Sequence, residues 1–293
     1  MSFKELARRV AVAVVGIPLA LFLIYLGGWP LTLFLVVIAG LGAQEFFALT
    51  RAKGIRALET PGILASVGLV LLAGAHPTFE TAAPASLALV VALFLLAGVG
   101  AIWLRWPDGS PLLAVPLTLA GAIYTGGTLS FALFLRHLPD SSSSLPGDGA
   151  LFGPLLLVFP LAITWAGDSA AYFFGHAWGK RKLIPKVSPG KTVVGGVAGL
   201  TMSVAMAVLL SATILSLHPL RGTSALLGAG MGVVLGVAAQ VGDLAESVMK
   251  REAGVKDSSG LLPGHGGILD RFDALYFTLP LAYALIRLLE ILS

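Results

Sequence analysis

Residues 242–273 read GDLAESVMKREAGVKDSSGLLPGHGGILDRFD, and they concentrate charge between two very apolar segments. The charged side chains are six carboxylates and four cations: Asp243, Glu246, Glu252, Asp257, Asp270, Asp273, Lys250, Arg251, Lys256 and Arg271. The whole chain of 293 residues is only 12% charged and is 57% hydrophobic, whereas a soluble domain is about one quarter charged. We therefore predict an all-α, polytopic integral membrane protein in which this charged stretch connects two membrane helices.

Long apolar runs predict the membrane helices, because about 20 apolar residues are needed for a helix to cross a bilayer. Nine runs fit, at residues 10–27, 30–50, 60–76, 84–104, 112–136, 153–176, 193–217, 223–245 and 272–291. We interpret them as one continuous membrane domain, with N-terminal helices in 1–150 and the functional region in 151–293. The chain contains no cysteine, which excludes disulfides, cysteine-bound metals and thiol catalysis.

The distribution of Lys and Arg predicts the orientation, because cytoplasmic loops are enriched in both. With the N-terminus in the cytoplasm, 16 of these residues lie on the cytoplasmic side and 3 on the opposite side. We therefore predict a cytoplasmic N-terminus, an external C-terminus and a location in the inner (cytoplasmic) membrane of the cell. The basic segment 177–192 and the charged segment 246–271 then face the cytoplasm together.

The spacing within residues 242–273 indicates a site for phosphate and metal. Four polar residues share one helix face at i, i+3, i+4 and i+7: Asp243, Glu246, Ser247 and Lys250. Asp270 and Asp273 share a face at the start of the next helix, and Mg²⁺ binds such carboxylates together with substrate phosphates. The Gly-rich turn 263–267 lets backbone N–H groups approach an anion. The pattern favours metal-assisted phosphoryl or nucleotidyl transfer.

A second group of candidate residues lies in 164–196. Asp168 falls within an apolar helix, where an acid indicates a functional site, although a purely structural buried acid is the alternative. Tyr172 follows on the same face at i+4. The segment Ser188-Pro189-Gly190-Lys191-Thr192 opens the next helix, where anions bind. The alternative interpretation of the basic loop is simple anchoring to anionic lipid headgroups.

The charged stretch resembles the signature of the phosphatidate cytidylyltransferase (CDP-diacylglycerol synthase) family. The matching positions span 27 residues: Ser247, Met249, Lys250-Arg251, Lys256-Asp257, Pro263 to Gly267, Asp270-Arg271 and Asp273. A weaker likeness covers Asp168 to Gly195. It departs at Gly190, where a lysine is usual, and at Val193-Val194, where a large residue and Glu are usual. In the first 150 residues the resemblance to the family is only general and names no site residue. We interpret Glu45, in the second apolar run, as a snorkelling or helix-packing carboxylate.

The resemblance implies a reaction of CTP with phosphatidate that gives CDP-diacylglycerol and pyrophosphate. On this basis Asp243 and Asp270 are assigned as Mg²⁺ ligands, and Asp273 is assigned to the outer coordination sphere of the ion. The family resemblance also allows a second bound cation such as K⁺. The residues assigned to catalysis are Asp243, Asp270, Lys250, Arg251, Lys256, Arg271 and His265. The residues assigned to substrate binding are Asp168, Tyr172, Ser188, Lys191, Thr192, Gly266 and Gly267. The family also implies a homodimer in contact with membrane lipid, and no nucleic-acid partner is expected.

Two other classes of protein share some of these features. A secondary transporter also contains intramembrane charges and broken helices, but its charges are expected near the bilayer midplane rather than at helix ends. A transferase acting on another lipid phosphate is the second alternative. The pattern of CDP-alcohol phosphotransferases, Asp-Gly, then Ala-Arg, then two spaced Asp, does not occur in the sequence.

Overall fold

The computed structural model describes residues 3–138, 149–214, 224–261 and 266–292. These residues form eleven helices and one short β-hairpin. The helices are α1 Phe3–Leu26, α2 Gly28–Ala52, α3 Glu59–Ala75, α4 Phe79–Leu104, α5 Pro111–Ala122, α6 Thr128–His137, α7 Gly149–Trp178, α8 Val193–Thr213, α9 Ala225–Glu252, α10 Leu269–Phe272 and α11 Leu275–Leu292. A π-helical turn, Ile123–Gly127, joins α5 to α6. The prediction of an all-α membrane protein is confirmed.

Seven helices in the described part of the chain are long and apolar enough to cross a membrane. They are Gly28–Ala52, Phe79–Leu104, Pro111–His137, Leu151–Trp178, Val193–Thr213, Ala225–Glu252 and Leu269–Ile291. Two more apolar helices are shorter, at Val14–Leu26 and Glu59–Ala75. Each of the nine predicted runs overlaps a helix, while the count of nine spans and the cytoplasmic N-terminus stay predictions.

The chain divides into two compact units, and unit 1 comprises Met1–Phe134 and Met249–Phe272. Its helices pack closely around the ring of Phe47 in α2, which is fully buried. A Cβ atom at Gly62 would lie 2.3 Å from this ring, and one at Gly121 would lie 2.6 Å from it. The two glycines therefore let α3 and α5 approach α2, as small residues do in membrane bundles. This packing fixes α2 within unit 1.

Unit 2 comprises Leu135–Val248 and Asp273–Ser293. Small residues again bring its helices together. A Cβ atom at Gly167 of α7 would lie 2.4 Å from the Ser203 hydroxyl of α8. On α9, a Cβ atom at Gly242 would lie 2.6 Å from the carbonyl oxygen of Asp273. The functional division at residue 150 stays a prediction, because compactness alone does not identify a catalytic region.

A β-hairpin precedes α8 and was not predicted from the sequence. Strand β1, Lys182–Ile184, pairs antiparallel with β2, Ser188–Thr192, so that Lys182 faces Thr192. The strands are too short, and too rich in Lys, Pro and Gly, to show the alternation typical of strands. The predicted start of the helix after Thr192 is correct. Its hydroxyl accepts a hydrogen bond from Gly195 N at 3.1 Å and thereby caps α8.

Candidate active site

The carboxylate of Asp270 is the centre of a polar cluster in unit 1. Lys250 donates from its ammonium to Asp270 Oδ1 at 2.5 Å. The backbone N–H groups of Ser258 and Gly267 donate to Oδ2 at 2.9 and 2.7 Å. The side chains of the ion pair are only 11% and 6% exposed. Lys250 and Asp270, both predicted from the signature, therefore meet in a nearly dry environment where their attraction is strong.

Glu45 of α2 belongs to the same cluster, although the sequence alone did not predict this position. Its carboxylate accepts hydrogen bonds from the Ser258 and Ser259 hydroxyls at 2.8 and 2.5 Å. It also accepts from the backbone N–H groups of Ile268 and Leu269 at 3.0 and 2.8 Å. Four donors match the acceptor capacity of a carboxylate, and the single proton of the Ser258 hydroxyl is shared with Asp270 Oδ2, which lies 2.9 Å from it. The interpretation of Glu45 as a snorkelling or packing residue therefore missed its contacts.

Two glycines of the signature are required by the local geometry. Gly266 has a φ of +81°, a conformation that residues with a Cβ atom rarely adopt. A Cβ atom at Gly267 would lie 2.1 Å from the Ser258 hydroxyl and 2.3 Å from Glu45 Oε2. The chain can therefore pass between Glu45 and Asp270 only because residue 267 has no side chain. The remaining turn residues, including His265, lie outside the described residues.

Three other cations of the signature lie on the surface of unit 1. Arg251, Lys256 and Arg271 are all exposed. Arg251 donates to the carbonyl oxygen of Val255 at 3.1 Å. Among the residues that the structure describes, Lys256 and Arg271 form no ion pair with a carboxylate. Their charges are therefore accessible to an anionic ligand.

A second polar cluster lies in unit 2 and joins the hairpin to α9. The ammonium of Lys191 lies 2.8 Å from Asp243 Oδ2, with side-chain exposures of 25% and 37%. The Ser247 hydroxyl donates to Asp243 Oδ1 at 3.4 Å. The predicted phosphate-binding lysine and a predicted metal-binding aspartate are thus in contact, although 52 positions separate them in the sequence.

The other residues predicted in this region have different environments. Ser188 is half-buried, while the Thr192 hydroxyl is buried and is already used as the cap of α8. Asp168 lines a small cavity together with residues such as Thr164, Ser203 and Gln240. Tyr172 is 68% exposed and stacks on His176 with ring centroids 6.2 Å apart. Asp168 and Tyr172 therefore do not line the same small cavity.

The predicted magnesium ligands have suitable donor chemistry. Among the described residues, each carboxylate oxygen of Asp243 has one polar partner, and Asp270 Oδ1 accepts a hydrogen bond only from Lys250. Lone pairs on these oxygens therefore remain for a metal ion. Asp273 Oδ1 accepts from Ala274 N at 2.7 Å. No group of three or more Asp, Glu or His side chains placed to hold a metal occurs in the described ranges. Mg²⁺ is commonly held by one or two protein carboxylates plus phosphates and water.

Comparison with known proteins identifies the family. Residues 7–289 match the model of the cytidylyltransferase family. A phosphatidate cytidylyltransferase of Synechocystis is 34% identical over 96% of this chain and 97% of its own length. The enzyme of the same name from Bacillus subtilis is 30% identical over 97% of this chain and 98% of its own length. One from Haemophilus influenzae is 48% identical over 44% of each chain. The chain therefore belongs to the cytidylyltransferase family and is a nucleotidyltransferase with several membrane-spanning helices.

Proposed function

We propose that the chain transfers the cytidylyl group of CTP to phosphatidate. A phosphate oxygen of the lipid forms a bond to the α-phosphorus of CTP, and the bond from this phosphorus to the β-phosphate oxygen breaks. The products are CDP-diacylglycerol and pyrophosphate. The observation that supports this proposal most strongly is the similarity, over nearly the whole chain, to proteins named phosphatidate cytidylyltransferase.

The chemistry depends on neutralising charge rather than on moving a proton. Both reactants are anions, so their approach needs cations that also stabilise the charge developing on pyrophosphate. A phosphate monoester has a second pKa of about 6, so the nucleophile is already ionised near neutral pH. A general base is therefore unnecessary, and we assign His265 to a phosphate contact or to positioning of the Gly-rich turn.

The cations of the two clusters take different roles in this proposal. Lys256 and Arg271, which are exposed, bind the triphosphate and then the pyrophosphate, and Arg251 assists them. Lys250 is held by Asp270 and keeps that carboxylate oriented. Lys191 contacts a substrate phosphate, and Ser188 and Thr192 lie beside that phosphate. Asp168, Tyr172, Gly266 and Gly267 complete the proposed contacts with substrate.

The cytidylyltransferase reaction generally needs a divalent cation, which we propose to be Mg²⁺. When bound, Mg²⁺ would neutralise phosphate oxygens and polarise the reacting phosphorus. Asp243 and Asp270 are the proposed ligands, and Asp273 supports them. A second cation such as K⁺ and a homodimer are carried over from the family resemblance. The inner (cytoplasmic) membrane is the proposed location.

The activity is tested with the purified full chain in detergent micelles. We expect labelled CDP-diacylglycerol from phosphatidate and CTP labelled at the α-phosphorus, together with an equal amount of pyrophosphate. CTP and dCTP are offered separately to define the nucleotide, and diacylglycerol replaces phosphatidate as the control acceptor. Transfer to diacylglycerol, or no lipid product with either nucleotide, would contradict the proposal.

The substitution Lys191→Ala is expected to lower kcat/KM by about 10- to 150-fold. The reason is that one charge-assisted hydrogen bond to a phosphate contributes roughly 1.5–3 kcal/mol. Steady-state kinetics with both substrates measure the loss. Lys182→Ala is the matched control in the same hairpin, because the pairing of Lys182 with Thr192 involves the backbone rather than the lysine side chain. Equal and small losses for both variants would instead favour anchoring to lipid headgroups.

The topology is tested with single cysteines, since the natural chain has none. Ser143→Cys and Gly260→Cys are expected to react with an impermeant thiol reagent from opposite sides of the membrane. Gly260 is suitable because it is exposed and a Cβ atom there meets no neighbour within 4 Å. Ser258 in the same loop is unsuitable because it is buried. Labelling of both cysteines from one side would contradict the predicted orientation.

A further inference from the structure

We propose that Glu45 is a positioning residue for nucleotide transfer: it holds Ser258 and Ser259, at one end of the segment 258–269, together with Ile268 and Leu269 at the other end, and thereby orients Asp270. This inference rests on the proposed function for its kinetic part, whereas its structural part is independent of that function. Glu45 lies in α2, more than 200 positions before this segment in the sequence. It lies outside the 27-residue stretch, Ser247 to Asp273, that carries the resemblance to the family signature.

The four hydrogen bonds of Glu45 are arranged so that they hold the two ends of this segment together, and we call this arrangement the clamp. General polar packing would not pair the two ends in this way. Oε1 of Glu45 accepts from the Ser259 hydroxyl and from Ile268 N. Oε2 accepts from the Ser258 hydroxyl and from Leu269 N. Each oxygen thus joins one residue at the start of the segment to one at its end. Because α2 is fixed by the packing of Phe47, both ends are held against a rigid helix.

The clamp is connected directly to Asp270. The Ser258 hydroxyl lies 2.8 Å from Glu45 Oε2 and 2.9 Å from Asp270 Oδ2. Leu269, whose N–H donates to Glu45, immediately precedes Asp270. Gly267 N donates to Asp270, and a Cβ atom on the same residue would lie 2.3 Å from Glu45 Oε2. Displacement of Glu45 therefore changes the direction of the Asp270 carboxylate and of its partner Lys250.

Among the described residues, only these donors stabilise the buried carboxylate of Glu45. Glu45 is 6% exposed, and no Lys or Arg in the described part of the chain forms an ion pair with it. Burial of a carboxylate is unfavourable unless it is fully hydrogen-bonded. A glutamine at this position could offer only one oxygen, and its amide group would face N–H and O–H donors. The site therefore requires a carboxylate and not merely a polar side chain of the same size.

The test compares Glu45→Gln with Glu59→Gln in detergent-solubilised full-length protein. Glu59 is the control because its ion pair with Arg51 is more exposed, with side-chain exposures of 32% and 57%. We measure kcat, the KM for each substrate and deuterium exchange at Ile268 and Leu269. For Glu45→Gln we expect faster exchange at both amides and a loss of about 10- to 150-fold in kcat/KM for CTP. Glu45→Asp should recover part of this loss, and Glu59→Gln should match the unchanged chain.

The outcomes distinguish a role of Glu45 in orienting Asp270 from a role in protein stability alone. They also distinguish failure of this inference from failure of the proposed cytidylyl transfer. Faster exchange with unchanged kinetics per folded molecule would overturn the positioning role and leave only a structural clamp. Unchanged exchange would overturn the clamp itself, even if the chain showed no cytidylyltransferase activity. If Glu45→Gln does not fold, Ser259→Ala replaces it, because it removes a single donor. A smaller loss in the same direction is then expected, and no change in rate or exchange would overturn the proposal.

Discussion

Asp270→Asn and Asp243→Asn are each expected to lower turnover by about a thousandfold or more. Both changes keep the shape of the side chain and remove its charge. Loss of one preorganised group that stabilises a charged transition state commonly costs 10²- to 10³-fold, and a lost metal ligand adds to this. Turnover is measured at saturating phosphatidate over a range of Mg²⁺ concentrations. Near-normal activity of either variant at limiting Mg²⁺ would show that the metal assignment is wrong.

The two variants are expected to differ in stability. Asp270 is the partner of Lys250 in a nearly buried pair, and removal of one partner from such a pair is strongly destabilising. Asp243 is 37% exposed in its pair with Lys191, so its loss should change stability by less than about 1 kcal/mol. Thermal unfolding in detergent checks this difference. Asp243→Asn is therefore the cleaner test of function, because its loss of activity should occur in a folded protein.

The double variant tests whether both residues act on the same ion, as the sequence predicts. Residues that work as one unit are not additive, so the double variant should be scarcely slower than either single one. Asp257→Asn is the comparison, because Asp257 is exposed in the middle of the loop, and its loss should be much smaller. Multiplied losses in the double variant would indicate separate roles for Asp243 and Asp270.

Gly267→Ala is expected to lower turnover by about a hundredfold and to reduce stability. The new methyl group would lie 2.1 Å from the Ser258 hydroxyl and 2.3 and 2.5 Å from the two Glu45 oxygens. These groups must move, and a misplacement of about 1 Å near reacting groups can cost roughly 10²-fold in rate. Overpacking of this kind typically costs about 1–3 kcal/mol of stability. Initial rates and the thermal midpoint measure the two effects.

Gly260→Ala is the control for this prediction, since it lies in the same loop and a Cβ atom there meets nothing within 4 Å. It should keep its rate to within about twofold, because exposed substitutions rarely change stability by more than about 0.5 kcal/mol. If Gly267→Ala behaved like Gly260→Ala, the close approach of the chain to Glu45 would not matter for the reaction. The four hydrogen bonds of Glu45 would then be the remaining support for the clamp.

Hydropathy was sufficient to locate the helices, because each predicted run is predominantly apolar and overlaps a helix. The start of α8 after Thr192 was also predictable, since a threonine followed by an apolar run is typical of a helix start. The hairpin was not predictable, because its few residues have no alternating pattern. Thr192 illustrates the same limit: its hydroxyl suggested phosphate binding, while the structure also uses it to cap α8.

The candidate residues were easier to find than their partners. The charged stretch 242–273 singled out Asp243, Lys250 and Asp270, because charge is rare in so apolar a chain. Glu45 was equally visible as an acid in an apolar helix, which by itself indicates a function. Its four donors, however, lie more than 200 positions away along the chain. Spacing within one helix cannot show such contacts, so only the folded structure connects Glu45 to Asp270.

The central claim, attack of the lipid phosphate on the α-phosphorus of CTP, is tested most directly by oxygen isotope transfer. Phosphatidate carrying ¹⁸O in its phosphate group is converted with unlabelled CTP, and both products are analysed by mass spectrometry. We predict that all of the ¹⁸O remains in CDP-diacylglycerol, including the oxygen that bridges the two phosphorus atoms, and that pyrophosphate is unlabelled. The appearance of ¹⁸O in pyrophosphate, or the formation of no CDP-diacylglycerol, would contradict this account.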